Sequence, residues 1–274
     1  MILAWVPFAL YAAAAAAYLG HFSRPDKRTG RTATALLGAA VLAHTFRIGM
    51  QTMEAGYAPL VGTTAAISAF VWLLGLAYLY VELTTDERAM GAFVTVLLAA
   101  LAVLPALDPH ADERPALLRS PLFTVHVLSM LFAYASFALA FVLGITYVLL
   151  FKEIKAKHLG FFYQRLPSLQ TLDVMNARAI VVGWLFLTCG LIIGGVWATQ
   201  IGESPDPRAQ AMSVADPKIL VALLSWGMYS FALVARRAIG WSGRRAAYMS
   251  VVGFVLIFVN LVPVGYFLTR SHNF

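Results

Sequence analysis

The chain has 274 residues, 61% hydrophobic and 12% charged, whereas ordinary soluble domains run at nearly half and about a quarter. That balance excludes a water-soluble protein and makes the lipid bilayer its solvent. Twenty Lys and Arg against 13 Asp and Glu leave a net charge of +7. In a soluble chain this would point to nucleic acid, but the basic residues here fall in short segments between apolar runs, so nucleic acid is dropped and the charge is read as a topology signal.

A hydrocarbon core about 30 Å thick takes about 20 apolar residues per helical crossing. Suitable runs lie at residues 1–22, 32–53, 60–81, 91–107, 121–151, 179–200, 219–235 and 246–268. The first has no basic stretch before it and no small-residue cleavage site followed by polar sequence, so it is expected to be a membrane helix and not a removed signal. The expected fold is all-α: a polytopic membrane protein of about eight transmembrane helices, forming a single domain over residues 1–274. The fifth run exceeds one crossing, which predicts tilt or an interfacial start. Residues 159–175 set Phe161, Phe162, Tyr163, Leu166, Leu169 and Leu172 among polar residues and predict a short amphipathic helix on the cytoplasmic surface. The segment 204–217, with Pro205, Pro207 and Pro217, is the longest irregular stretch on the outward side.

Lys and Arg in short loops set the orientation of such a protein. The first, third, fifth and seventh connections hold fourteen of them, including Arg24, Lys27, Arg28, Arg31, Arg88, Arg178, Arg236, Arg237, Arg244 and Arg245, and the opposite side holds five. Both termini are therefore expected outside the cytoplasm.

Cys189 is the one cysteine and lies in an apolar run. That excludes an intrachain disulfide, a zinc cluster and a covalent CxxCH haem attachment. Of six histidines, His21 and His158 fall on the cytoplasmic side and His110 in an exposed outer loop, and all three read as solvated or interfacial side chains. His126 lies near the start of a helix descending from the outer face, and His272 follows a helix ending there. Two neutral imidazoles from different helices can hold haem iron without thioethers, although any two outward histidines meet this condition. His44, Arg47 and Gln51 share one face near the middle of the second helix. Ionisable groups at that depth face a bundle interior or a polar cavity. This leaves open a packing network, a second haem ligand, or a propionate clamp using the Arg47 fork. Gly190 and Gly194 form a GxxxG suited to close helix approach. Trp197 shares the outward face with His126 and His272, either as a porphyrin-stacking platform or as a belt residue. Neither a nucleophile with its base, nor a phosphate loop, nor a histidine pair at i, i+4 is found, so no independent enzymatic activity is expected.

Taken in order, these features resemble the CcsA/ResC/CcmC haem-handling family of cytochrome c assembly proteins. The likeness runs from His44, Arg47, Gly56, Pro59 and Tyr78 to Glu82, through Pro121 to Phe137 with His126 and Tyr134. It continues with Leu166 to Leu169, Leu172 and Gly194 to Ala198, and then with Asp216, Pro217, Lys218, Trp226, Tyr229, Arg236, Gly240, Trp241 and Gly243 to Ala246. Three departures stand out. The family's tryptophan-rich centre is reduced to Ala215-Asp216-Pro217-Lys218, Val234 stands where many members place a membrane-embedded histidine, and His272 is displaced from Gly265. They make the chain look closer to the HemX and YpjD-like branch.

The resemblance implies haem b held non-covalently near the outer leaflet, with His126 and His272 as axial ligands, Trp197 as platform and Asp216 nearby. It also implies His44 and Arg47 at a cofactor-binding position, residence in the bacterial cytoplasmic membrane among lipid, and a hetero-complex with other membrane or periplasmic cytochrome assembly or respiratory proteins. The alternative is a non-transferring b-type haem redox subunit, or a structural or regulatory subunit of a larger membrane complex. A small-molecule or ion transporter is a third class, with little beyond His44, Arg47 and Gln51 to build its polar cavity.

Overall fold

The computed structural model describes residues 2–108, 116–157, 160–201 and 216–259. Among the described residues the order is α1 (Ile2–Ser23), α2 (Lys27–Ala55), α3 (Thr63–Thr85), α4 (Gly91–Leu107), a 3₁₀ turn (Ala116–Arg119), α5 (Pro121–Lys155), α6 (Phe161–Arg165), α7 (Leu169–Ile201), α8 (Pro217–Ala238) and α9 (Arg244–Val259), with no strand. Within the described residues each of the eight apolar runs lies wholly or largely on a helix. Five helices, α2, α3, α5, α7 and α8, are long and apolar enough to cross a membrane. The chain is thus an all-helical, polytopic membrane protein.

Polar side chains cap the starts of α2, α5, α7 and α8. The Asp26 carboxylate accepts the Thr29 N–H at 2.9 Å, which holds its pKa below the ordinary carboxylate value and starts α2 at Lys27 instead of residue 32. The helix ends on Gly56 at φ 76°, a left-handed conformation that glycine adopts without strain. Ser120 and Pro121 open α5, which then runs unbroken for 35 residues, about 50 Å at the helical rise.

The segment 159–175 departs from expectation. Only Phe161–Arg165 forms a separate short helix. Pro167 follows, and Ser168 accepts the Thr171 N–H at 3.1 Å, opening α7 at Leu169 and not at residue 179. Leu172 and Met175 are buried in the core, so this stretch is the root of a membrane helix and not an amphipathic surface element. Arg178, counted above as a loop residue, consequently lies within α7.

Short connections make successive helices antiparallel. Here α1 packs on α2 and α4, α5 packs on α3, α7 and α9, and α8 packs on α7 and α9. Gly91 allows a close approach: a Cβ there would lie 2.2 Å from the Tyr18 ring. At the end of the bundle where α7 starts, Asp173 accepts both Arg236 guanidinium nitrogens, at 3.0 and 2.7 Å, and the Gly243 N–H at 2.7 Å. One carboxylate thereby ties α7, the end of α8 and the turn into α9.

Removing this clasp should cost far more than removing an exposed ion pair. Asp173→Ala is expected to lower stability by about 2–3 kcal/mol, since a charge-assisted fork and a backbone donor lose their acceptor together. Asp86→Asn at the exposed Arg88 pair should change it by less than about 1 kcal/mol. Denaturant unfolding of the detergent-solubilised variants checks the difference.

Candidate functional site

The α5–α7 contact gathers two of the sequence-derived candidates at one end of the bundle. His126 stands in the second turn of α5, and its Nδ1 lies 2.8 Å from the carbonyl oxygen of Gly190 in α7. A carbonyl only accepts, so Nδ1 carries a proton, and in the neutral form of the ring the lone pair is on Nε2. The glycines of the GxxxG make the approach: a Cβ on Gly194 would fall 2.6 Å from both Cε1 and Nδ1 of His126.

One turn beyond, Trp197 is 4% exposed and packs with Phe123, at 5.1 Å between ring centroids, and with Leu118. Its Nε1–H is buried without a hydrogen-bond acceptor. By contrast, the Trp184 and Trp226 indoles donate to Ser230 and Thr188 at 2.7 and 2.8 Å. Asp216, 6% exposed, caps α8 by accepting the Lys218 N–H at 2.9 Å. His272 lies outside the described residues, as do His110, His158 and most of the segment 204–217.

His44 and Arg47 lie elsewhere. His44, 1% exposed, has Tyr11 Oη 3.3 Å from Nδ1 and Ser68 Oγ 2.9 Å from Nε2. The imidazole thus joins α1, α2 and α3, with both nitrogens engaged. Ligating iron there would require breaking one of those bonds. Arg47 donates to the Pro105 carbonyl at 2.8 Å, placing a cation at the negative end of α4. Val234 is 61% exposed on α8.

A second buried polar group escaped the sequence analysis. Glu82 in α3 is fully buried and accepts Tyr18 Oη at 2.6 Å and Thr34 Oγ1 at 2.5 Å, while Arg88 Nε donates to Thr34 Oγ1 at 3.2 Å. The available signal was the spacing of Tyr11 and Tyr18, seven residues apart on one face of an alanine-rich helix. Among the described residues no group of three or more His, Cys, Asp or Glu could hold a metal ion.

The architecture defines a helical membrane protein carrying one tautomer-fixed histidine at a helix–helix contact. Residues 60–273 match the family model described as cytochrome c assembly protein, and the chain belongs to that family. It is 27% identical over 255 residues to the cytochrome c biogenesis protein CcsA of Guillardia theta, covering 86% of this chain and 82% of that one. For the proteins of the same name in Parasynechococcus marenigrum (strain WH8102) and Prochlorococcus marinus (strain MIT 9313), identity is 28% over 262 and 29% over 268 residues. These cover 84% and 85% of this chain, and 83% and 82% of those relatives.

The three indoles separate by their partners. Trp197→Phe keeps an aromatic ring while removing an unsatisfied donor, so the haem-free protein should lose no stability and should gain up to about 1–3 kcal/mol. The same exchange at Trp184 or Trp226 should cost about 0.5–1.5 kcal/mol, because Ser230 or Thr188 loses a donor. Thermal unfolding in detergent distinguishes them.

Proposed function

We propose that this cytochrome c assembly protein holds haem b non-covalently at the extracytoplasmic face of a bacterial cytoplasmic membrane and presents it for cytochrome c maturation. In this reading residues 1–274 form a single domain of eight crossings with both termini outside. The basic residues around the α1–α2, α3–α4 and α8–α9 connections support that orientation. The His126 end of α5 then faces outward.

The observation that carries the proposal is the Nδ1–H bond from His126 to Gly190. A ligating histidine ordinarily donates its other N–H to a carbonyl or carboxylate, which orients the ring and raises its basicity. When bound, the group would supply an iron that accepts imidazole nitrogens, and His126, through Nε2, and His272 would hold it. The buried Trp197 Nε1–H is a donor lacking an acceptor, and a propionate carboxylate has the chemistry to accept it. Asp216 fixes the start of α8 and with it the end of the 204–217 segment. His44 and Arg47 enter this reading as the network holding α1, α2, α3 and α4 together, not as iron ligands. Lipid and the membrane or periplasmic proteins of cytochrome assembly are the partners. Presentation requires haem held weakly enough to leave, which exposed ligation without thioethers permits.

One observation favours the alternative of a non-transferring haem or structural subunit: Trp197 is packed on Phe123 and Leu118, not laid open as a platform.

Protein expressed with ample haem and purified should show a Soret band that the His126→Ala, His272→Ala double variant loses. A colourless wild-type protein would overturn both haem readings. Bound haem that passes electrons but never reaches an apocytochrome would select the redox subunit. A topology assay placing Arg236 to Arg245 outside would invert the site.

A further inference from the structure

Three glycines within six residues of α7 meet three different surroundings. A Cβ on Gly190 would lie 2.7 Å from the sulfur of Met130, the flexible end of a long side chain. On Gly194 it would lie 2.6 Å from two atoms of the His126 imidazole, and on Gly195 it would meet nothing within 4 Å. The pattern that reads as a helix-approach motif therefore divides into a packing position, a histidine seat and an open position.

We propose that Gly194 is a positioning residue for His126: the missing side chain lets the imidazole lie against α7 so that Nδ1 reaches the Gly190 carbonyl. This rests on the reading of His126 as an iron ligand, although the tautomer it predicts is a property of the haem-free protein. An imidazole is rigid beyond two side-chain torsions. Bringing a Cβ at 2.6 Å to ordinary contact displaces the ring by about 1 Å, which takes a 2.8 Å hydrogen bond to the limit of its range or past it. Without that bond the Gly190 carbonyl no longer selects Nδ1–H over Nε2–H. The Nε2 lone pair is then present in only part of the population. Loss of such an outer partner weakens metal binding by about 10–100-fold.

The test uses the full chain in detergent, labelled with ¹⁵N-histidine, and first without haem. Long-range ¹H–¹⁵N correlation identifies the tautomer of each ring, with His126 assigned by the signal missing in His126→Gln. Wild type, Gly190→Ala and Gly195→Ala are expected to show His126 protonated at Nδ1 alone. Gly194→Ala should show mixed tautomers, with the His44 signals, bonded to Tyr11 and Ser68, unchanged as evidence of an intact fold. Haemin titration followed at the Soret band should then give about 10–100-fold weaker binding for Gly194→Ala than for Gly195→Ala.

A single Nδ1–H tautomer in Gly194→Ala, or an equal loss in Gly190→Ala, overturns the proposal. If the tautomer shifts as expected but the wild type binds no haemin, the seat stands and the haem function falls. Should Gly194→Ala fail to fold, adding His126→Ala must restore folding, because the clash is with that ring; failure to restore it also overturns the proposal.

Discussion

Hydrocarbon offers no hydrogen-bond partner, so every polar group inside this bundle has to find its partner within the bundle. Most do, and the solutions decide which helices touch. His44 is answered from α1 and α3, Glu82 from α1 and α2, and Arg47 by the carbonyl end of α4. Asn176 in α7 donates to the Ala140 carbonyl of α5 and accepts from Ser250 of α9. These bonds run between elements distant in sequence. They specify neighbours that lipid-exposed apolar surfaces, equally content with acyl chains, leave undetermined.

Against that background the exceptions are few. Among the described residues, three buried side-chain atoms lack a partner: Arg178 Nη1, Trp197 Nε1 and Tyr229 Oη. Tyr229 is stacked on Phe137 at 3.8 Å, with its hydroxyl against Gly253, so ring packing accounts for its position. Trp197 differs because it sits one turn from the Gly194–His126 contact. An unmet buried donor thus stands beside the histidine whose Nδ1 proton the Gly190 carbonyl fixes. Stability alone would favour phenylalanine there.

Much of the fold was legible because an apolar run of about 20 residues has few alternatives in a membrane protein. The described parts of the eight runs fall wholly or largely on helices, while the starts of α2 and α7 shifted because capping by Asp26 and Ser168 extends helices into polar sequence that hydropathy does not score. Residues 159–175 misled for a related reason. Pro167 splits an apparently continuous amphipathic pattern, and its second half belongs to the core. The candidate site was legible in residue type only: His126 and Trp197 were named, yet nothing in the sequence said that Gly194 faces the imidazole. Glu82 and Asp173 went unnoticed as partners, because a carboxylate in an apolar run is informative only once its donors on other helices are known.

His44 and His126 show why residue type and depth do not settle function. Each has a nitrogen within hydrogen-bond range of another helix. For His44 the neighbours are hydroxyls, which donate or accept as needed, so either neutral tautomer can be accommodated and the ring serves equally well as a bridge in both. For His126 the Nδ1 neighbour is a backbone carbonyl, which can only accept, so one tautomer is imposed and the lone pair is assigned to Nε2. Imposing a tautomer adds little to helix packing, which needs a hydrogen bond of either sense. Its consequence is for whatever must bind at a defined nitrogen, so the two sites divide by the chemistry of their partners into one that accommodates either tautomer and one that admits Nδ1–H alone.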